Sequence, residues 1–241
     1  VRAMTSEGVH LWEFEAKGSF DGTPRVAGDV VYIGSNNGFL YALELMTGRL
    51  RWKYDTQEEV GTQPVVAEGL VLVSTLADTL FAIDAKTGEW RWHHRREVPG
   101  GFTIRGAASA ALADGVVYAC YSDGHVASLN AKDGSVRWDR RVAPAGQFMD
   151  IDSTPQVAGE RLFVGAFSGA VYALDRGTGN IQWEFKSPGT ARLKLAPSLL
   201  IAVSADRVLG LQPGDGSVLW SAPLKGSPAG EPMVVNNAAL V

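Results

Sequence analysis

Six pairs of glycine and tryptophan, each with a spacing of four residues, recur along this chain and constrain its fold more than any other feature. The pairs are Gly8/Trp12, Gly48/Trp52, Gly88/Trp92, Gly134/Trp138, Gly179/Trp183 and Gly216/Trp220. Successive tryptophans lie 40, 40, 46, 45 and 37 residues apart. A period of about 40 residues is typical of repeat proteins, whose units bury their apolar faces only against neighbouring units. We therefore expect these tryptophans to be structural.

Each repeat unit contains short apolar runs rich in Val, Tyr, Ile and Leu. Turn signals such as Ala27-Gly28-Asp29, Asn36-Asn37-Gly38 and Thr47-Gly48 separate the runs, which predicts strands joined by tight hairpins. No apolar pattern of helical period persists for three turns, so we expect no long helix. Four strands in about 40 residues make one blade of a propeller. The predicted fold class is all-β: a β-propeller of four-stranded antiparallel blades.

The glycine and the tryptophan of each pair have different expected roles. The glycine follows the third strand, where it supplies a positive φ that side chains resist. The tryptophan opens the outermost strand, where its ring can lie flat between two blades and bury roughly 200 Å². This interpretation is favoured over ligand stacking because nearly every tryptophan of the chain belongs to the repeat.

The full pattern Tyr-Ala-Leu-Asp-x-x-Thr-Gly-x-x-x-Trp, as it stands at Tyr172–Trp183, resembles the repeat of pyrroloquinoline-quinone-type propellers. Families with this repeat mostly have eight blades. The 241 residues hold five complete blades and two partial ones, Gly8–Ala16 and Glu231–Val241. We therefore expect residues 1–241 to form a single β-propeller domain that is a segment of a longer chain, part of an eight-bladed ring.

Composition and motifs argue against several functions. The net charge of −4 comes from interspersed acids and bases, which does not indicate a nucleic-acid partner. One cysteine, Cys120, excludes an internal disulfide and the adjacent cysteine pair that commonly stacks on the quinone of the related dehydrogenases. The four histidines have no metal-ligand spacing, and no nucleophile or phosphate-binding motif occurs. We expect no catalytic residue, no metal and no cofactor.

The connections between consecutive blades differ in length. The separations from each blade tryptophan to the residue that opens the next innermost strand are, in chain order, twelve, twelve, eighteen, seventeen, fourteen and twelve. The pairs measured are Trp12/Pro24, Trp52/Pro64, Trp92/Ala110, Trp138/Pro155, Trp183/Pro197 and Trp220/Pro232. Two successive junctions therefore carry five or six extra residues. Insertions at equivalent places in adjacent repeats emerge on one face, often the binding face.

The two longer junctions contain bulky apolar side chains as well as charges. Phe102, Ile104 and Arg105 lie in the first junction, and Asp150 and Asp152 lie in the second. An apolar cluster with opposed charges suits a protein-binding hot spot. The same loops could instead fold onto each other and close the central funnel, with Arg105 paired internally. Spacing and composition alone leave these alternatives equally open.

The segments Phe102–Ser109 and Asp150–Pro155 resemble two loop motifs of the BamB family, lipoproteins of the bacterial outer-membrane β-barrel assembly machinery. In that family an apolar-x-apolar-Arg-Gly loop and an Asp-x-Asp-Thr-Thr-Pro loop bind a POTRA domain of BamA. The resemblance implies partner contacts at Phe102, Ile104, Arg105, Asp150 and Asp152, with the two aspartates either accepting from the partner or holding Arg105. Ser153 stands where the motif has Thr, and Phe102 and Ile104 replace leucines.

The resemblance implies a non-catalytic scaffold subunit on the periplasmic side of the outer membrane. Membrane association is then expected only through a lipid anchor outside this segment. Unfolded outer-membrane clients could also add to the outermost strands, although ordinary protected edges fit the sequence equally well. The alternatives are a quinone-dependent dehydrogenase propeller and an extracellular sensor or ligand-binding propeller.

Overall fold

The computed structural model of the protein describes residues 1–98, 108–144, 149–167, 169–187, 189–190, 192–224, 232–235 and 238–240, with side chains up to residue 232. The chain divides into two compact units, Val1–Arg96 and Glu97–Val241. Each unit is described by itself below. The expectation that residues 1–241 form one domain stays a prediction.

The first unit consists of one two-stranded and two four-stranded antiparallel sheets. The two-stranded sheet pairs β1 (Arg2–Met4) with β2 (His10–Glu13). The first complete sheet contains β3 (Arg25–Ala27), β4 (Val30–Gly34), β5 (Phe39–Glu44) and β6 (Leu50–Asp55). The second contains β7 (Val65–Ala67), β8 (Leu70–Ser74), β9 (Thr79–Asp84) and β10 (Trp90–Arg95). Strands that follow one another in the chain are neighbours within each sheet.

The second unit repeats this plan three times and ends in another two-stranded sheet. Its first sheet contains β11 (Ala111–Ala113), β12 (Val116–Cys120), β13 (His125–Asn130) and β14 (Val136–Arg141). The next contains β15 (Gln156–Ala158), β16 (Arg161–Gly165), β17 (Ala170–Asp175) and β18 (Ile181–Lys186). The third contains β19 (Arg192–Leu195), β20 (Leu200–Val203), β21 (Arg207–Leu211) and β22 (Val218–Pro223), and β23 (Met233–Val235) then pairs with β24 (Ala238–Leu240).

In the described part of the chain, the five predicted blades are therefore present as five four-stranded sheets. The two predicted partial blades are the two-stranded sheets at either end. The second strand of the middle blade in the second unit is buried on both faces: Leu162 and Val164 lie in the cluster shared with the preceding blade, and Phe163 lies in the cluster shared with the following one. Its near-continuous apolar sequence follows from that burial, because neighbouring sheets cover both faces. No described residue belongs to a helix.

The apolar cores lie between consecutive sheets, as a repeat architecture requires. In the first unit Tyr32 and Leu40 of one blade pack in the same cluster as Val73 and Ile83 of the next. In the second unit one cluster joins the first two blades, and another joins the second and third. A blade therefore depends on its neighbour for much of its stability.

The repeated glycine and tryptophan connect one blade to the next. The indole Nε1 of Trp52 donates to the Ala85 carbonyl at 3.2 Å, and that of Trp138 donates to the Arg176 carbonyl at 3.0 Å. In the same turn of each accepting blade, the glycine lies beneath the ring. The predicted positive φ is confirmed, with values of 76° at Gly88 and 74° at Gly179.

The outermost strand of every complete blade contains a β-bulge just before its tryptophan. In the first blade Trp52 is opposite Ala42 while Leu50 is opposite Leu43, so Arg51 is the extra residue. The same register shift occurs in β10, β14, β18 and β22. Bulges interrupt the regular hydrogen-bonding edge that another strand would need for pairing.

One junction assignment from the sequence is wrong. Pro197 does not open an innermost strand, because β19 (Arg192–Leu195) precedes it and the Ala196 amide bonds to the Leu199 carbonyl at 2.9 Å across a turn. The separation from Trp183 to the start of this strand is nine, compared with thirteen from Trp52 to Val65. This junction is therefore short, and Pro197 lies in the hairpin between the first two strands.

Candidate protein-binding site

The predicted contact residues divide between two parts of the chain. Phe102, Ile104 and Arg105 lie outside the described residues. Asp150 and Asp152 lie in the described segment Met149–Pro155, between β14 and β15 of the second unit. The separation from Trp138 to Gln156, which opens β15, is eighteen, whereas the equivalent separation from Trp52 to Val65 is thirteen. The lengthening predicted for this junction is thus present.

Backbone hydrogen bonds attach this junction to turns on both sides. At its start, the amides of Val142 and Ala143 donate to the Gly124 carbonyl at 2.9 and 3.3 Å. After the loop, the Ile151 amide donates to the Tyr121 carbonyl at 3.4 Å. In the next blade, the Phe167 amide donates to the Asp150 carbonyl at 3.0 Å. The segment containing both aspartates is therefore held by the sheet scaffold.

The interior side of the segment consists of Asp150, Ile151, Ser153 and Pro155. Asp150 has 0% exposure and Ile151 has 2%, and Ile151 belongs to the core cluster of the first two blades of this unit. A carboxylate so deeply buried is costly unless other groups of the protein compensate its charge. Asp150 therefore belongs to the framework of the segment rather than to its surface.

Ser153 makes the same two hydrogen bonds as a hydroxyl residue at the equivalent position of another blade. Its Oγ accepts from the Gly165 amide at 2.6 Å and donates to the Gly165 carbonyl at 3.1 Å. Thr62 in the first unit makes the same two bonds to Ser74, at 3.2 and 2.9 Å. The serine at this place in the motif therefore preserves the hydroxyl contacts and lacks only the methyl group.

Asp152 is the motif carboxylate that solvent reaches, because it is partly exposed where Asp150 is buried. It also faces the end of β12. Burial raises the pKa of the Cys120 thiol, and the negative charge of Asp152 raises it further. The buried thiol is therefore neutral at physiological pH, and it is a small apolar neighbour of the segment.

Arg141, which the sequence did not single out, bridges the two ends of the loop between β14 and Met149. Its Nε donates to the Ala143 carbonyl at 3.3 Å, and its Nη2 lies 2.7 Å from the Met149 sulfur. Across the sheet it is opposite His125, whose Nδ1 lies 3.0 Å from Asp123. The position of Arg141 at the end of an outermost strand, directly before the insertion, was the available signal.

The described residues include no group of three or more His, Cys, Asp or Glu residues placed to hold a metal ion. They also include no helix long and apolar enough to cross a membrane.

A family model described as outer membrane protein assembly factor BamB matches residues 1–222 and, again, residues 150–241. The chain belongs to the BamB family. The overlapping matches follow from the repeat, since one blade sequence can align with more than one part of the pattern. The predicted fold class, a β-propeller of four-stranded antiparallel blades, is confirmed by this match together with the solved structure of a relative.

BamB of Shewanella oneidensis is 29% identical over 229 residues, which cover 92% of this chain and 48% of that protein. The crystal structure of BamB from Moraxella catarrhalis matches with a TM-score of 0.84 at 25% identity, over 96% of this chain and 73% of that one. The chain thus spans about half the length of its Shewanella relative.

A quinohemoprotein alcohol dehydrogenase from Pseudomonas putida also matches, with a TM-score of 0.70 at 18% identity, over 88% of this chain and 43% of that one. At this identity the likeness concerns the fold alone.

Proposed function

We propose that this protein is a non-catalytic scaffold subunit of the bacterial outer-membrane β-barrel assembly complex. It acts on the periplasmic side of the membrane and is attached by a lipid anchor outside this segment. Membership of the BamB family is the observation that carries the proposal. Its partner is a POTRA domain of a BamA-like subunit, bound through the two longer interblade junctions.

The junction between β14 and β15 supports this proposal because its described residues are held in place by hydrogen bonds and core packing. Met149–Pro155 is attached to two turns and to a core, so it presents its exposed groups without a large loss of conformational entropy on binding. Asp152 is the group on this segment that accepts hydrogen bonds from partner donors. Asp150 acts from the interior and holds the junction, because its burial removes it from a partner's reach.

Phe102, Ile104 and Arg105 supply the remainder of the proposed surface. The two apolar side chains form its desolvated centre, and Arg105 pairs with carboxylates or carbonyls of the partner. This combination matches the composition of binding hot spots, in which buried apolar anchors and arginine dominate. The function is positional, because a rigid propeller fixes a multi-domain arm relative to the membrane barrel.

Contact with unfolded outer-membrane clients is a separate prediction. The bulges of the outermost strands oppose addition of a regular strand at the level of each tryptophan. We therefore place the main binding function on the interblade junctions rather than on the strand edges.

Binding of the isolated POTRA domains to the full-length protein tests the proposal. Arg105→Glu should weaken binding by about thirtyfold or more, since truncating one member of a buried charge pair costs about 2–5 kcal/mol. Arg137→Glu is the matched control, because Arg137 is an exposed arginine on β14 and its reversal changes the net charge equally. Undiminished binding by a folded Arg105→Glu protein would refute the site.

A further inference from the structure

Gly124 lies directly beneath Ala143 and Met149, the residues on either side of the second interblade loop (residues 144–148). It is the last residue of the turn Tyr121–Gly124, which joins β12 to β13. A Cβ atom at Gly124 would lie 2.9 Å from the Cβ of Ala143, which precedes the loop, and 3.4 Å from the carbonyl oxygen of Met149, which follows it. The first distance is closer than two carbon atoms can approach without displacing one of them.

The same turn also supplies the hydrogen bonds that hold these two ends. Its Gly124 carbonyl accepts from Val142 and Ala143, and its Tyr121 carbonyl accepts from Ile151. The turn is therefore a platform on which the loop rests at both ends. A displacement of this platform changes the position of Asp152, because Ile151 and Asp152 are adjacent in the chain.

The conformation of the turn does not by itself require glycine. Asp78 occupies the equivalent position between β8 and β9, with a φ of 56°, and the Arg96 amide donates to its carbonyl at 3.1 Å. Gly124 has a φ of 81°. A side chain is thus tolerated at this turn position, whereas at Gly124 the atoms of Ala143 and Met149 occupy the space that a side chain would need.

We propose that Gly124 is a positioning residue for partner binding: the absence of its side chain allows Ala143 and Met149, on either side of the second interblade loop, to pack on the turn Tyr121–Gly124. Gly124 itself does not contact the partner. The effect on affinity rests on the proposed function, whereas the effect on the loop does not.

The test uses Gly124→Ala in the full-length protein with the POTRA domains as the probe. Affinity should fall by about tenfold or more, as for the loss of one hot-spot contact. The control is Gly38→Ala in the first unit. Gly38 has a similar φ of 86°, and the atoms nearest to its Cβ would be backbone atoms of Gln57 and Glu58, at 3.3–3.4 Å. Gly38→Ala should leave affinity unchanged.

A second substitution separates displacement of the loop from backbone strain. Ala143→Gly in the Gly124→Ala background removes the 2.9 Å contact and leaves φ unaltered. It should restore affinity to within about threefold of the parent, since the remaining contacts are close to ordinary packing distances. Unchanged affinity in Gly124→Ala, or failure of Ala143→Gly to restore it, would overturn the proposal.

Amide hydrogen exchange of the free protein gives the readout that does not need a partner. Gly124→Ala should accelerate exchange of the amides of Val142, Ala143 and residues 149–152, and Ala143→Gly should reverse the change. If the parent protein fails to bind POTRA domains while this exchange pattern is observed, the proposed function is wrong and the positioning of the loop stands. Unaltered exchange in Gly124→Ala would contradict the positioning role whatever the partner.

Discussion

Gly88 lies against the indole of Trp52 so closely that a Cβ atom at Gly88 would be 2.7 Å from the ring carbon Cδ2. The two residues belong to consecutive blades of the first unit. Trp12 and Gly48 repeat the relationship in this unit, and Trp138 and Gly179 repeat it in the second. Glycine therefore occurs at this repeat position for two reasons: its φ is positive, and the tryptophan ring of the preceding blade occupies the space that a side chain would need.

Gly88→Ala should destabilise the protein more than Gly69→Ala. Both glycines have a φ near 76°, but a Cβ at Gly69 would meet no atom within 4 Å. The difference isolates the contact with Trp52, for which overpacking predicts about 1–3 kcal/mol. Urea unfolding of both variants measures it. Equal losses of stability would show that φ alone explains the repeated glycine.

Arg176 connects the first two blades of the second unit. Its Nε donates to the Tyr118 hydroxyl at 2.8 Å, and its Nη2 bonds to Asp114 at 2.6 Å. Tyr118→Phe should cost about 1 kcal/mol and Arg176→Ala about 2–3 kcal/mol, since the guanidinium also bonds to the carbonyls of Ala113 and Gly159.

A double-mutant cycle of Tyr118→Phe and Arg176→Ala, followed by urea unfolding, measures the coupling. Residues that share a hydrogen bond should couple by at least about 0.5 kcal/mol. Additive losses would contradict a direct interaction between the two side chains.

The pKa of Asp84 is strongly lowered, first by the hydrogen bond from Arg91 and next by the backbone amide of Thr87. A carboxyl whose folded pKa is depressed stabilises the fold above its unfolded pKa of about 3.9, and this stabilisation is lost as pH falls through the folded value. Asp84→Asn should therefore cost about 1 kcal/mol at pH 7.

The difference between the parent protein and Asp84→Asn should shrink as the pH falls below about 4. Unfolding free energies measured from pH 7 to pH 2 check this dependence. A difference that stays constant over the range would mean that the ionised carboxylate does not provide the stabilisation.

The blades are predictable from the sequence because the patterns that mark them are local. Each strand is bounded by turn residues, and the spacing of the glycine and tryptophan pairs fixes the repeat. The position of β19 is not predictable in this way. Ala196-Pro197 resembles the residues that precede an innermost strand in other blades, and only the pairing of Leu195 with Leu200 shows the true register. A proline marks a break in pairing but does not say which of two neighbouring turns contains it.

The site was predicted only in part for a related reason. The length of the junction revealed the insertion, and the motif identified Asp150 and Asp152. The placement of this segment depends on hydrogen bonds to residues distant in sequence: the Ile151 amide donates to the Tyr121 carbonyl, and the Phe167 amide of the next blade donates to the Asp150 carbonyl. Spacing alone cannot distinguish a carboxylate that faces the core from one two residues away that reaches solvent.

Trp220 illustrates the same limit. It occupies the repeat position of Trp138, yet it is 37% exposed where Trp138 is 6% exposed. The spacing of glycine and tryptophan is the same in both blades, but Gly210 is opposite Trp220 where Ser128 is opposite Trp138, and the spacing does not show how far each ring is covered. For Trp220 the sequence predicts the strand and the position within it correctly, but it does not predict the exposure of the side chain.

Asp150→Asn and Asp152→Asn should weaken POTRA binding in different ways. Asp152 is partly exposed, so its neutralisation should slow association and reduce the dependence of the association rate on salt. Asp150 is buried, so Asp150→Asn should accelerate dissociation and leave the salt dependence unchanged. Stopped-flow or surface-binding kinetics at several salt concentrations measure both effects. A reduced salt dependence in Asp150→Asn would mean that this carboxylate acts directly on the partner.

Site-specific photocrosslinking in living cells tests the central claim most directly, because it reports which surface meets the assembly machinery. A photoreactive residue would replace Thr154, which is partly exposed in the same segment as Asp152, or Val136, which is exposed on β14 of the same unit. The account predicts crosslinks from position 154 to the POTRA region of the BamA-like subunit and none from position 136. Crosslinks from position 136 without any from position 154 would contradict it.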